Sequence, residues 1–163
     1  MRIDELLLTD KINKELQTFT GDQEPSGPSQ WGQAASDKLA MSIGCTANVV
    51  LITPTEIYVA NSGDSRCVAA DKKWVAIELS KDHKPDNPEE KKRIEEAGGF
   101  VEDNRVKGIL NLSRSIGDME YKTDRNLHAK NQMIIAFPDV KIIKRDLVDF
   151  LIIACDGIWD CMT

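Results

Sequence analysis

Apolar residues recur at four-residue spacing near the start of the chain, at Leu8, Ile12 and Leu16, with Asp10, Lys11, Lys14 and Glu15 between them. That periodicity predicts an amphipathic helix over residues 3–19, closed by Gly21. Residues 21–37 carry Pro25, Gly27, Pro28 and Gly32 and almost no apolar side chains, which predicts a polar loop or insertion. The period then drops to two. A β-rich run covers 45–52, Glu56–Asn61 alternates with Ile57 and Val59 on one face, and 66–70 returns through a turn at Asp71-Lys72-Lys73 into 74–79. Short strands joined by tight turns imply an antiparallel meander. A second helix is marked by Asn87 as cap, Pro88 at the first position, Glu90 at the capping-box position and Gly98-Gly99 as the stop. Further short strands follow at 100–101 and 105–106, at 133–137 and at 140–143, with alternation across 108–118. The run Phe150-Leu151-Ile152-Ile153-Ala154-Cys155 is continuously apolar and predicts a strand buried on both faces.

Helices and antiparallel strands in this order give an α+β class. At 163 residues the chain suits one domain or part of a larger one. A net charge of −6 without any Lys/Arg block argues against a nucleic-acid surface. Cys45, Cys67, Cys155 and Cys161 form no C-x-x-C pair, and with only two histidines a zinc cluster is disfavoured. Buried free thiols in a reducing compartment are the simplest reading. No apolar run reaches membrane-spanning length and no signal-peptide pattern opens the chain, so an intracellular location, cytoplasmic or nuclear, is expected. His83 lies in a charged loop and reads as solvated surface.

Three aspartate positions stand beside glycine at predicted strand ends. They are Asp64 in Asn61-Ser62-Gly63-Asp64-Ser65-Arg66, Asp118 in Ile116-Gly117-Asp118, and Asp156 in Asp156-Gly157-Ile158-Trp159-Asp160, where Asp160 returns four residues later. Ordinary turns need no more than this. Carboxylates in such turns also suit a hard cation, because backbone carbonyls and waters can complete its shell, and Mg²⁺ or Mn²⁺ would be the match. Both readings stand on the residues alone.

The ordered motifs carry more. Gly44-Cys45-Thr46-Ala47, the Asn61–Arg66 turn, Asp82-His83-Lys84-Pro85, Ala97-Gly98-Gly99-Phe100-Val101, Arg105-Val106-Lys107-Gly108 running into Leu112–Asp118, Pro138-Asp139-Val140 and Asp156–Asp160 occur in series. In that series the chain resembles the metal-dependent serine/threonine phosphatases of the type 2C (PPM) family, from about Met41 to Thr163. The resemblance implies an antiparallel β-sandwich flanked by helices. It implies hydrolysis of phosphoserine and phosphothreonine in phosphoprotein substrates, by water activated on two Mg²⁺ or Mn²⁺ ions. By the same resemblance Asp156 is a ligand of the binuclear centre, and Asp64, Asp156 and Asp160 are carboxylates of a weaker third site. Asp118 is implied near the centre, behind the direct ligands, and Arg105 and Arg114 are structural or close to substrate.

The family's Asp-Gly-His-Gly-Gly segment, with its bridging aspartate and histidine, has no counterpart here, nor has its final Asp-Asn ligand. The chain is therefore expected to be a partial catalytic domain, incomplete at both ends, with no certain catalytic residue of its own. The alternative is a non-catalytic phosphatase-like binding module. Neither nucleic acid nor membrane is expected as a partner.

Overall fold

The computed structural model describes residues 2–20 and 41–162; the polar segment expected at 21–37 lies outside them. In chain order the elements are α1 (Arg2–Leu7), α2 (Asp10–Thr20), β1 (Gly44–Cys45), β2 (Ala47–Ile52), β3 (Glu56–Ser62), β4 (Arg66–Asp71), β5 (Ala76–Glu78), α3 (Pro88–Glu96), β6 (Val101–Glu102), β7 (Arg105–Val106), β8 (Ile116–Gly117), β9 (Asp139–Lys144), β10 (Val148–Ala154) and α4 (Asp156–Trp159).

Two three-stranded sheets form the sandwich, in the orders β2-β3-β9 and β10-β4-β5, and every pairing in them is antiparallel. The alternation read from Glu56–Asn61 explains how they meet. Ile57 and Val59 leave the same face of β3 and are buried with Cys67 and Ala69 of β4 and with Leu79. Val50, Ile77, Ile143, Val148 and Leu151 close this core from its sides. A second apolar cluster lies under α3, where Ile94 meets Val106, Tyr121, Met133 and Ile134. The hairpin β6–β7 beside it turns on Asp103 and Asn104, both with positive φ, a conformation these two side chains tolerate better than most.

Several expectations need correction. The first helix is two helices, because Thr9 turns back on Leu6 through both its amide (2.9 Å) and its hydroxyl (2.7 Å). The run 45–52 is likewise divided: β1 pairs with β8, whereas β2 pairs with β3. Residues 108–118 and 133–137 provide only β8 and isolated bridges, one of them Arg114 to Ile135. β10 is not buried on both faces. It pairs with β4 along one edge, and among the described residues Phe150, Ile152 and Ile153 stay 39%, 45% and 48% exposed. Of the four thiols only Cys67 is buried, and burial pushes its pKa up.

Candidate functional site

The turn between β3 and β4 carries Gly63 and Asp64. Gly63 has φ of 118°, and a Cβ there would collide with the Thr46 side chain, so the residue type is dictated twice over. Asn61, buried behind the turn, donates from Nδ2 to the carbonyls of Gly63 and Lys81, each at 3.0 Å. Asp64 is 4% exposed. A carboxylate at that depth needs a partner to remain ionised.

The partner comes from the segment 82–84, whose three consecutive side chains each seize the turn. Asp82 accepts a two-point grip from Arg66, Nε at 3.0 Å and Nη2 at 2.8 Å. The Gly63 amide donates to Nδ1 of His83 at 3.1 Å, and the His83 amide donates to the Gly63 carbonyl at 3.0 Å. Nε2 of His83 then lies 3.1 Å from Oδ2 of Asp139 and donates to it. Lys84 places its ammonium 2.5 Å from Oδ2 of Asp64. Burial alone would lower the Lys84 pKa; Asp64 reverses that, with help from Asp156 and Asp82, and the pKa is raised.

His83 is thus not the solvated loop residue expected: it is 2% exposed and forms a wedge between the turn and the start of β9. Its partner Asp139 leads inward to a second charged system. Arg114 donates to Asp139 Oδ1 (2.9 Å), to the Phe137 carbonyl (2.9 Å) and to Glu90 Oε1 through Nε (3.0 Å) and Nη2 (2.6 Å). Glu90 also accepts from Arg93 (2.6 Å) and Ser113 (2.7 Å). The capping roles read for this helix are not realised: Asn87 donates to the Asp82 carbonyl, and Glu90 turns into the interior. Burial pushes the Glu90 carboxyl up, but Arg114, Ser113 and Arg93 outweigh it and hold it below the ordinary value. At Asp139 burial is likewise outweighed by His83 and Arg114, and the pKa is lowered.

The other expected site residues fall in different surroundings. Asp156 opens α4 instead of a tight turn and is half-buried, close enough to Lys84 to share in its field. Asp160 is exposed at the end of α4, on the side of Arg66, whose guanidinium also lies 5.5 Å from the centre of the Trp159 ring. Asp118 adopts a left-handed conformation after β8 and packs its carboxylate over Gly44. Near it, Asp4 of α1 is buried, accepting from the Gly117 amide (3.0 Å) and the Lys122 ammonium (2.8 Å); sequence offered no signal for that pairing across the chain. Arg105 is exposed and donates to the Ile109 carbonyl at 2.7 Å, shaping its own loop. Its side chain lines one open cleft with Lys84 and Asn111, and a second cleft lies between Lys84 and Arg66.

Oxygen donors such as Asp64, Asp156 and Asp160 suit a hard divalent cation by type. Their arrangement does not: among the described residues no three His, Cys, Asp or Glu side chains converge as a metal-holding set. Lys84 already caps Asp64, and Asp160 faces Arg66.

The family profile described as "Protein phosphatase 2C" matches residues 4–163. "Probable protein phosphatase 2C 2" of Paramecium tetraurelia is 47% identical over 163 residues, covering 99% of this chain and 49% of the relative. "Probable protein phosphatase 2C 21" of Arabidopsis thaliana is 50% identical over 145 residues, covering 88% of this chain and 40% of the relative. The chain therefore spans about half the length, or less, of these curated relatives. A crystal structure of a phosphatase from Toxoplasma gondii superposes with a TM-score of 0.60 at 42% identity, over 64% of this chain and 32% of that one. The serine-threonine phosphatase 2C from Toxoplasma gondii matches at 0.62 over 94% of this chain and 48% of that one; at 21% identity that likeness concerns the fold.

Proposed function

The chain belongs to the protein phosphatase 2C family, and from that premise we propose that it serves the hydrolysis of phosphoserine and phosphothreonine in phosphoproteins. The observation that carries the reading is the family match across residues 4–163. The buried, pinned turn that presents Asp64 beside Asp156 agrees with it. Hydrolysis in this reading depends on Mg²⁺ or Mn²⁺, and the residues assigned to a cation are Asp156 and Asp64, with Asp160 at the rim. Among the described residues these carboxylates do not by themselves complete a cation's ligand set.

What these residues do themselves is positional. The Asp82-His83-Lys84 clamp holds the Asp64 turn to β4 and, through Asp139 and Arg114, to α3. Asp118 stands behind β1, and Arg114 spends its donors on Glu90, Phe137 and Asp139, a structural role. Exposed Cys45, Cys155 and Cys161 suit a reducing interior, cytoplasmic or nuclear.

The deciding assay is Mn²⁺-dependent release of phosphate from a phosphothreonine peptide by the 163-residue chain. Release that disappears in Asp156→Ala supports the phosphatase reading. Absence of release, together with retained binding of the peptide, would favour the second reading, a phosphatase-like binding module; the pairing of Asp64 with Lys84 speaks for that alternative.

A further inference from the structure

The turn joining β4 to β5 forces a tryptophan outward. Asp71 closes it with four hydrogen bonds. Its amide donates to the Val75 carbonyl (3.0 Å), its carbonyl accepts from the Trp74 amide (2.9 Å), and its Oδ1 accepts from the amides of Lys73 (2.7 Å) and Val75 (2.8 Å). Held in this way, Trp74 has φ of 65°, a left-handed conformation that strains a bulky residue. Burial does not compensate: Trp74 is 76% exposed and meets Phe150 edge-on, with 5.6 Å between ring centres. Glycine would take the same backbone without strain, so folding alone does not call for this residue. Val75 and Leu147, both more than half exposed, extend the apolar surface at the same end of the sandwich. Lys72 and Lys73 stand exposed beside Trp74, and the ion pairs among the described residues include neither. The Asp71 carboxylate is committed to amides of the turn, Glu56 accepts from the Tyr58 hydroxyl, and on the connection into β10 Lys144 and Arg145 match Asp146 and Asp149 in number. Two lysines against Asp71 leave the tip with a positive excess, on a chain of net charge −6.

We propose that this hairpin tip, with Trp74 as anchor and Lys72 and Lys73 beside it, docks an acidic segment of a partner protein that carries a large apolar side chain. The turn and Phe150 already hold the indole in place, so docking orders little that was free. A partner side chain laid against Trp74 and Phe150 would bury the rings that water now covers, and tryptophan is a frequent anchor of such contacts. Carboxylates on either side of that side chain would reach the two free ammonium groups, which steer the approach and fix the register. The surface is remote from the Asp64 turn. β4 starts at Arg66, beside that turn, and its six residues place Asp71 about 17 Å further along. The tip therefore holds a protein without touching the candidate site, and the inference stands independently of the phosphatase reading.

The experiment selects a displayed random peptide library on the 163-residue chain, depleting each round on Trp74→Ala. The enriched peptides should carry Asp or Glu on both sides of Phe, Trp or Leu. Fluorescence anisotropy of the most enriched peptide then reads the anchor. Trp74→Ala and Lys72→Glu/Lys73→Glu should each weaken binding by roughly tenfold or more, and Lys72→Arg/Lys73→Arg should retain it. Raising the salt concentration should weaken binding to the unsubstituted chain. Trp74→Gly separates docking from packing. It should lose the peptide in the same way, yet unfold in urea at a midpoint no lower than that of the unsubstituted chain, because the strained φ is relieved. A lower midpoint would make Trp74 a packing residue and overturn the proposal. A library without the acidic and apolar consensus, or a peptide whose affinity ignores Trp74→Ala, overturns it too. Sedimentation covers the other occupants. Trp74-dependent binding to phosphatidylserine vesicles, or Trp74-dependent self-association, without the peptide consensus would give the tip to a membrane or to a second copy and sink the acidic partner.

Discussion

Arg114 holds the carboxylate of Glu90 through two donors, at 2.6 and 3.0 Å, although the residues are 24 positions apart and each is less than a tenth exposed. The pair ties the first turn of α3 to the strand-like segment before β8, and Asp139 extends it to the His83 wedge. The charged system behind the Asp64 turn is therefore continuous from helix to turn.

Breaking that pair should be expensive. Glu90→Ala leaves Arg114 and Arg93 buried with one partner fewer, which costs on the order of 3–5 kcal/mol. The neighbouring Glu89 is exposed, and Glu89→Ala should stay within about 0.5 kcal/mol. Urea denaturation of the two variants side by side checks the contrast. Equal effects would mean that the pair contributes nothing specific.

Acid should unfold the chain through the same carboxylates. Glu90 and Asp139 both have pKa values held below the ordinary 4.5 and 3.8. A depressed folded-state pKa means that the unfolded chain binds the proton first. The stabilisation is complete above the ordinary carboxylate range and is lost as pH falls through the lowered folded values. Stability measured from pH 7 downward should hold to about pH 5 and then drop. In Glu90→Gln that acid-side slope should be shallower. An unchanged slope would remove Glu90 from the account.

Local signals in the sequence were enough for elements whose partners are close by. Ile57 and Val59 announced the buried face of β3, and Pro88 with Gly98-Gly99 marked the limits of α3. Glu90 misled because its helix reads Glu89-Glu90-Lys91-Lys92-Arg93, a solvated pattern, and nothing local reveals Arg114 or Ser113 beneath it. His83 misled for the same reason, since its partner Asp139 lies 56 residues downstream. Asp64 and Asp156 were legible as carboxylates in turns, but their capture by a lysine was not, because periodicity carries no information about which cation is nearest. Phe150–Ala154 shows the converse error: a continuous apolar run states what a strand could bury, not what covers it.

Gly44 and Asp118 should behave as one unit. A Cβ at Gly44 falls on the Asp118 carboxylate, and Asp118 sits at φ of 49°. Gly44→Ala should cost about 1–3 kcal/mol, the range for an overpacked contact. Replacing Asp118 by glycine removes the obstruction and suits the left-handed backbone. Gly44→Ala/Asp118→Gly should therefore be more stable in urea than Gly44→Ala alone. Additive losses would show that the clash is absorbed elsewhere.

The outer face of the β2-β3-β9 sheet sets the last prediction. Register places Val49, Ala60 and Val140 in one row and Leu51, Tyr58 and Ile142 in the next, all on the face turned away from Ile57 and Val59. Val49, Leu51, Val140 and Ile142 are each more than half exposed among the described residues. Neighbouring apolar side chains on an open sheet face invite association between molecules. Leu51→Lys/Ile142→Glu puts opposite charges on the flanks of Tyr58, with little packing to lose, and should change stability by less than about 1 kcal/mol. Light scattering at high protein concentration should fall sharply in the variant. Ile57→Ala, on the buried face, should instead cost about 2–5 kcal/mol. Were the outer-face pair as destabilising as Ile57→Ala, the face would have to be covered in solution, and the scattering of the unsubstituted chain would already be low.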